Sequence, residues 1–176
     1  MPKRNVPTKF FFIILQAIKN KSSIDVIYLS KNIDEPKEIR CLCPHSIVYE
    51  GMRWHVRAYC YSRKEFRDFV IARFVKIDDS DEPIVPIEED HEWNNILNLV
   101  FIPNPNLSDL HKKIVKLEYG MNNGKAQMSC RESLFFYVLR KFGISAEKKN
   151  TDVVQVVFEN HDELIKYMPK SKRSYE

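Results

Sequence analysis

Only four glycines occur in 176 residues, at Gly51, Gly120, Gly124 and Gly143. That dispersal leaves no glycine-rich loop to wrap a phosphate, which sets aside the common nucleotide-hydrolysing motifs. Long apolar runs are missing as well. The longest, residues 10–15, is far too short to cross a bilayer and leads to no small-residue cleavage site. Cysteines are few (Cys41, Cys43, Cys60 and Cys130), and without a secretory signal they read as reduced thiols in a cytoplasm. Cys41 and Cys43 lie near His45 and His55, but this spacing fits no strong zinc pattern, and two thiols on one strand face read as buried apolar groups. Asp109 with His111, and Asp162 with Glu163, offer no nucleophile or partner at useful spacing. No enzyme, metal or cofactor is expected.

What is present is a soluble composition, 44% hydrophobic and 30% charged, with charge unevenly placed. Residues 1–78 carry 15 Lys and Arg against 8 acids, a net of +7. Residues 79–96 carry seven acids and no Lys or Arg, and residues 97–176 carry 13 basic residues against 9 acids. A basic block beside an acidic segment suggests an anionic partner for the basic block, or simply a solvated charged surface.

The periodicity divides the chain into three parts. In residues 1–78, TKFFFIILQAIKN spaces Phe11, Ile14, Leu15 and Ile18 as an amphipathic helix with Thr8 at its N-cap. Strand-like runs follow: IDVIYLS, EIRCLCP, HSIVYEG, MRWHVRAYC and FRDFVIARFVKI, with Glu50-Gly51 marking a hairpin. Five short strands with tight turns predict a small β-barrel of the SH3 or Sm type. Residues 79–96, with two prolines and the acid cluster, read as a linker. From residue 97 onward strands (ILNLVFIP, GKAQMSC, DVVQVVF) alternate with helices opened by Ser108, ended by Gly143 and finished by HDELIKYM. The fold class is α+β, a small barrel followed by a compact α/β sandwich module.

The hairpin strand MRWHVRAYC carries the most chemistry. With a period of two, Met52, Trp54, Val56, Ala58 and Cys60 face a core, while Arg53, His55, Arg57 and Tyr59 face away from it. The next strand adds Arg67 and Arg73, which share parity with Phe69 and Ile71. Guanidinium forks match phosphate or carboxylate oxygens and an aromatic beside them can stack on a base, as a nucleotide or single-stranded nucleic acid requires. The same arginines could instead pair with Glu50, Glu65 and Asp68 on a solvated face.

Residues 24–77 resemble the WYL domain. The matching pieces are Tyr28-x-Ser30, Arg40 leading to Pro44-His45, the hairpin with Trp54, and Phe66-Arg67-x-Phe69 closing on Arg73. The eponymous tripeptide reads Trp54-His55-Val56, so its Tyr and Leu are replaced. GMRWHVRAYC followed by FRDFVIAR is similar to the WYL regulators encoded beside anti-phage defence systems. Tyr119-Gly120-Met121, Gly124, Arg131 and Leu134-x-x-Tyr137-x-Leu139-Arg140 look like the C-terminal extension that dimerises them. The likeness runs over residues 8–158. It implies a homodimer that senses an anionic, nucleotide-like effector through Tyr28, Ser30, His45, Arg53, His55, Arg57, Arg67 and Arg73, with the first helix relaying the bound state. It also implies DNA contact only through a winged helix-turn-helix, for which the residues before the first strand are too short. The expectation is therefore a truncated regulator, or a stand-alone single-stranded nucleic-acid binder that modulates a nuclease or defence system.

Overall fold

The computed structural model describes residues 6–30, 37–144 and 154–168. The chain divides between Asp90 and His91 into two compact units.

The first unit opens with α1 (Thr8–Asn20), whose N-cap is Pro7 rather than Thr8. Pro7 offers no side-chain acceptor to the N–H groups of the first turn. Lys21 ends the helix in a left-handed conformation. Ile14 and Ala17 are buried and Phe11 and Ile18 half-buried, whereas Leu15, expected on the same face, is exposed.

Five antiparallel strands follow: β1 (Ser23–Leu29), β2 (Lys37–Tyr49), β3 (Trp54–Cys60), β4 (Glu65–Val70) and β5 (Phe74–Ser80). They pair in the order β4-β3-β2-β1-β5. The pairing leaves β4 and β5 as edges, so the sheet is not closed by a ladder into the barrel expected from the strand count. A short 3-10 turn, Ile71–Arg73, joins these two edge strands. The runs EIRCLCP and HSIVYEG, expected as two strands, form one long strand. A register shift between Pro44 and Ser46 absorbs the proline, which cannot donate to a ladder. Gly51 supplies the positive φ of 97° that the β2–β3 turn needs, and Glu50 N–H donates to the Arg53 carbonyl across it.

One face of this sheet packs on α1. Ile24, Val26 and Tyr28 of β1, Leu42 of β2, Val56, Ala58 and Cys60 of β3, and Phe69 of β4 form a single apolar cluster with Ile14 and Ala17. Phe11 meets Trp54 edge-on at 5.3 Å.

The second unit begins with the short α2 (His91–Asn94). It continues with β6 (Ile96–Pro103), α3 (Asp109–Glu118), β7 (Ala126–Arg131), α4 (Glu132–Phe142), β8 (Val156–Phe158) and α5 (His161–Leu164). The three strands are antiparallel in the order β7-β6-β8. Leu97, Leu99 and Phe101 of β6 pack with Val115 of α3 and with Phe135 and Leu139 of α4. Ser108 caps α3, accepting from His111 N–H, and Gly143 ends α4 at φ 67°, both as the residue types require. The strand expected at residues 152–158 is three residues long where it is described, and residues 152–153 lie outside the described residues. No helix among the described residues is long and apolar enough to cross a membrane.

Candidate functional site

The alternation along β3 is kept: Trp54, Val56, Ala58 and Cys60 lie on the face of the helix-covered cluster, and His55, Arg57 and Tyr59 lie on the other. That second face is not open to solvent. His55 is 3% exposed and Arg57 4%. The acidic segment after β5, expected as a linker from its composition, meets this face at Arg57 and at Cys43.

Arg57 is held by that segment. Its Nε donates to Asp90 Oδ2 at 2.7 Å and its Nη2 to Asp90 Oδ1 at 2.8 Å, a two-pronged guanidinium–carboxylate pair. Asp90 is itself 1% exposed and also meets His45 Nε2 at 3.0 Å. The other His45 nitrogen lies 2.9 Å from Ser46 Oγ, and its ring packs against Phe66. Asp68, opposite Arg57 on β4, adds a contact at 3.5 Å from Nη1. Sequence reasoning misses Asp90 because the partners are 33 residues apart. The available signal is faint: half-buried Val85 and Ile87 alternate with exposed neighbours inside the acidic run.

The register separates other residues expected together. Arg67 pairs with Ala58 on β3, so it lies on the helix-covered side of the sheet, opposite to Arg57. There it meets Glu65 at 3.3 Å. Arg57, Arg67 and Arg53 thus contact Asp68, Glu65 and Glu50, the very acids that the sequence offers as alternative partners.

A second cluster gathers where β1, β2, β3 and the 3-10 turn converge. The Tyr28 ring is fully buried, edge-on to Phe69 and Phe74 at 5.3 Å each. Its hydroxyl accepts from Val70 N–H at 3.1 Å. Burial pushes the phenol above its ordinary pKa, while the Val70 bond and the Arg73 guanidinium pull it back. Arg40, across from Val26 on β2 and 1% exposed, stacks its guanidinium on Phe69 and Tyr28 at 5.4 and 5.6 Å. Arg73 is half-buried, and its Nη1 is a buried donor with no hydrogen-bond partner among the described residues. Glu50 Oε1 receives Arg53 Nε at 3.3 Å and lies 3.6 Å from His55 Nε2. Burial first, and then the Arg53 charge, lowers the His55 pKa to about 4 against the opposing pull of Glu50, so its imidazole is neutral at physiological pH. Ser30 is half-buried at the end of β1. The expected ligand residues therefore do not form one cluster. Tyr28 gathers with Arg40 and Arg73, His55 sits with Arg53 and Glu50 within reach of the Arg73 charge, and His45 and Arg57 belong to the Asp90 pair, while Arg67 meets Glu65.

The thiols serve packing. Cys43 Sγ lies 3.4 Å from Val85 N and 3.7 Å from Val85 O, and Cys41 Sγ lies 3.2 Å from Ser80 Oγ. Burial pushes the Cys41 thiol up to about 11, which keeps it protonated. Among the described residues no three His, Cys, Asp or Glu side chains gather to hold a metal ion.

Comparison with known proteins matches the two units separately. Residues 9–78 match the WYL domain, and residues 96–164 match the BrxR transcriptional regulator C-terminal dimerization domain. The DNA-binding transcriptional repressor CapW of Pseudomonas aeruginosa is 34% identical over 154 residues, covering 86% of this chain and 51% of that protein. The protein of the same name from Stenotrophomonas maltophilia is 32% identical over 175 residues, covering 97% of this chain and 58% of that one. The chain thus spans little more than half the length of the curated relatives it matches. Among solved structures, Proteasome accessory factor B/C (PafBC) of Arthrobacter aurescens overlaps with a TM-score of 0.44 at 13% identity, over 94% of this chain and 27% of that one.

Proposed function

The chain belongs to the WYL-domain regulators that carry a BrxR-type C-terminal dimerisation domain, and from that premise we propose that it is the effector-sensing and dimerising part of a transcriptional repressor. In this reading the first unit senses an anionic, nucleotide-like effector, and DNA is met through a separate DNA-reading domain. The second unit joins two copies. The relatives named as DNA-binding repressors support the regulatory role, and the name of the matched C-terminal domain supports the dimer.

The single observation that carries effector sensing is the buried Arg73 Nη1 atom, which has no hydrogen-bond partner of its own among the described residues, on a guanidinium that interacts with the Tyr28 hydroxyl and lies near His55. An unsatisfied buried charged donor is costly, and an anionic ligand is the simplest group to complete it. Arg40 and Arg53 lend further positive charge to the same place, and neutral His55 lends a hydrogen-bonding ring without adding to the repulsion.

The test is a calorimetric titration of the full chain with short single-stranded oligonucleotides and with mononucleotides. Arg73→Ala should weaken the tighter of these probes at least tenfold while leaving the unfolding free energy within about 0.5 kcal/mol, since a charge-assisted hydrogen bond is worth roughly 1.5–3 kcal/mol. Equal binding by both proteins removes the reading. Light scattering of the full chain checks the other half: a dimer is expected at micromolar concentration, and a monomer at high micromolar concentration overturns it.

A further inference from the structure

In the second unit, α3 is apolar on two sides. Inward, Val115 joins the cluster of Leu99, Phe135 and Leu139, with Lys112 and Tyr119 half-buried on the same side of the helix. Outward, Leu110, Ile114 and Leu117 follow one another at steps of four and three residues, which lines them up along one stripe. All three are exposed. Leu117, at 82%, is the most exposed large apolar side chain among the described residues, and Leu110 is 67% exposed. A single exposed leucine is ordinary, but three along one helix face make a patch that water solvates poorly.

The residue types along the stripe indicate what covers it. In the seven-residue frame of a coiled coil, Ile114 takes position a, and Leu110 and Leu117 take d. Lys113 then takes g and Glu118 takes e, both exposed at the margins of the stripe. A β-branched residue at a with leucine at d favours two parallel helices. In that arrangement each g side chain meets the e side chain five residues further along the other helix, so Lys113 of each copy faces the partner's Glu118. An antiparallel pair would instead bring Lys113 against the partner's Lys113, a contact of like charges. One helix thus supplies both the apolar seam and both signs of charge, which is the self-complementarity of a two-fold contact. A partner of different sequence would not require it.

We propose that two copies of the chain join through α3, side by side and parallel, with Leu110, Ile114 and Leu117 as the seam and a Lys113–Glu118 pair on each flank. Three side chains fall short of the roughly 800 Å² that each partner contributes to a standard interface, so the seam is the apolar centre of the contact and not the whole of it. The inference rests on the dimer assigned to the second unit above and adds where the second copy sits. It involves none of the residues given to effector sensing.

The experiment is sedimentation equilibrium of the full chain over a dilution series. Leu117→Gln should raise the dimer dissociation constant about a hundredfold, because the apolar contact is lost from both copies at once. Lys113→Glu should weaken the dimer severalfold by setting like charges across each flank, and adding Glu118→Lys should restore it. If the unaltered chain is a dimer and Leu117→Gln is an equally tight one, the contact lies elsewhere, for instance at the unpaired edge of β7. The seam is then overturned while the dimer stands. An unaltered chain that stays monomeric overturns both. Should Leu117→Gln fail to fold, the charge reversals decide, since both positions are exposed. A double variant no tighter than Lys113→Glu alone overturns the parallel pairing.

Discussion

The two faces of the first unit's sheet are covered in opposite ways. On one, α1 lays Ile14 and Ala17 over Ile24, Val26, Leu42, Val56 and Phe69, with Arg40 folded onto the aromatic rings. On the other, residues 81–90 form a strap that meets Arg57 and His45 through the Asp90 carboxylate and Cys43 through the Val85 backbone. A helix-covered face is stabilised by area, which is tolerant of direction and of salt. The strap-covered face includes the paired charge of Arg57 and Asp90, which is directional and intolerant of losing either member. Burial of a strand's polar face therefore need not make it part of the apolar core.

The largest effect is expected from Arg57→Ala. Removing one member of a buried pair strips Asp90 of its guanidinium, and urea unfolding should report a loss of about 3–5 kcal/mol. The expectation that this side chain sits at a solvated surface, where substitution costs little, does not hold for a group 4% exposed. Exchanging both partners, Arg57→Met with Asp90→Leu, should restore most of the stability, because apolar replacements of similar volume are often neutral. A double variant as unstable as Arg57→Ala would show that the pair holds more than its own charges.

Leu42→Ala tests the helix-covered face. A fully buried leucine there should cost about 2–5 kcal/mol, from lost transfer energy and the cavity left behind. The distinguishing readout is salt: its cost should stay the same between roughly 50 mM and 1 M NaCl, since no charge is involved. A strong salt dependence at Leu42 would mean that the two faces are not energetically separate.

His55 separates the faces through pH. Its folded pKa is depressed from 6.5 to about 4, so the unfolded chain takes up a proton first as the solution is acidified. The stabilising preference for the neutral ring is fully present above pH 6.5 and is lost as pH falls through about 4. Across that window His55 should contribute a loss of the order of 3 kcal/mol, each pKa unit being worth about 1.4 kcal/mol. Urea midpoints measured from about pH 7 to pH 4 check this, and His55→Gln should flatten the slope. A slope unchanged by that substitution would place the titrating group elsewhere.

Much of this arrangement is legible from parity alone. The alternation Trp54-His55-Val56-Arg57-Ala58 needs only the period of a strand, and Ser108, Gly51 and Gly143 announce their turns and caps through local chemistry. The sequence also places the acids Glu50, Glu65 and Asp68 near enough to be partners. What it withholds is long-range. That β4 and β5 end as edges rests on pairings between distant strands, and Pro44 reads locally as a strand terminator although the chain continues through it as a bulge. The acid-rich composition of residues 79–96 marks a solvated linker, and Asp90 differs from its exposed acidic neighbours only because Arg57 is waiting 33 residues back. Arg67 and Arg57 carry the same charge on adjacent strands, and only the register between β3 and β4 assigns them to opposite faces.

That last pair yields the smallest effect and the cleanest control. Arg67 meets Glu65 at 3.3 Å, but its side chain is 26% exposed and that of Glu65 58%. In such a place water already solvates both charges, salt screens their attraction, and holding two long side chains in one geometry costs rotamer freedom. The ion pair should therefore contribute about 0.2–1 kcal/mol, and Arg67→Ala should cost little more through the packing of its alkyl stem. Measured beside Arg57→Ala in the same urea series, Arg67→Ala should move the midpoint several times less. Raising NaCl to about 1 M should erase most of its effect, while leaving the larger loss at the buried Arg57 in place. If the two substitutions prove equally damaging, exposure has not decided what these arginines do, and the division into a helix-covered and a strap-covered face fails as an account of the unit's stability.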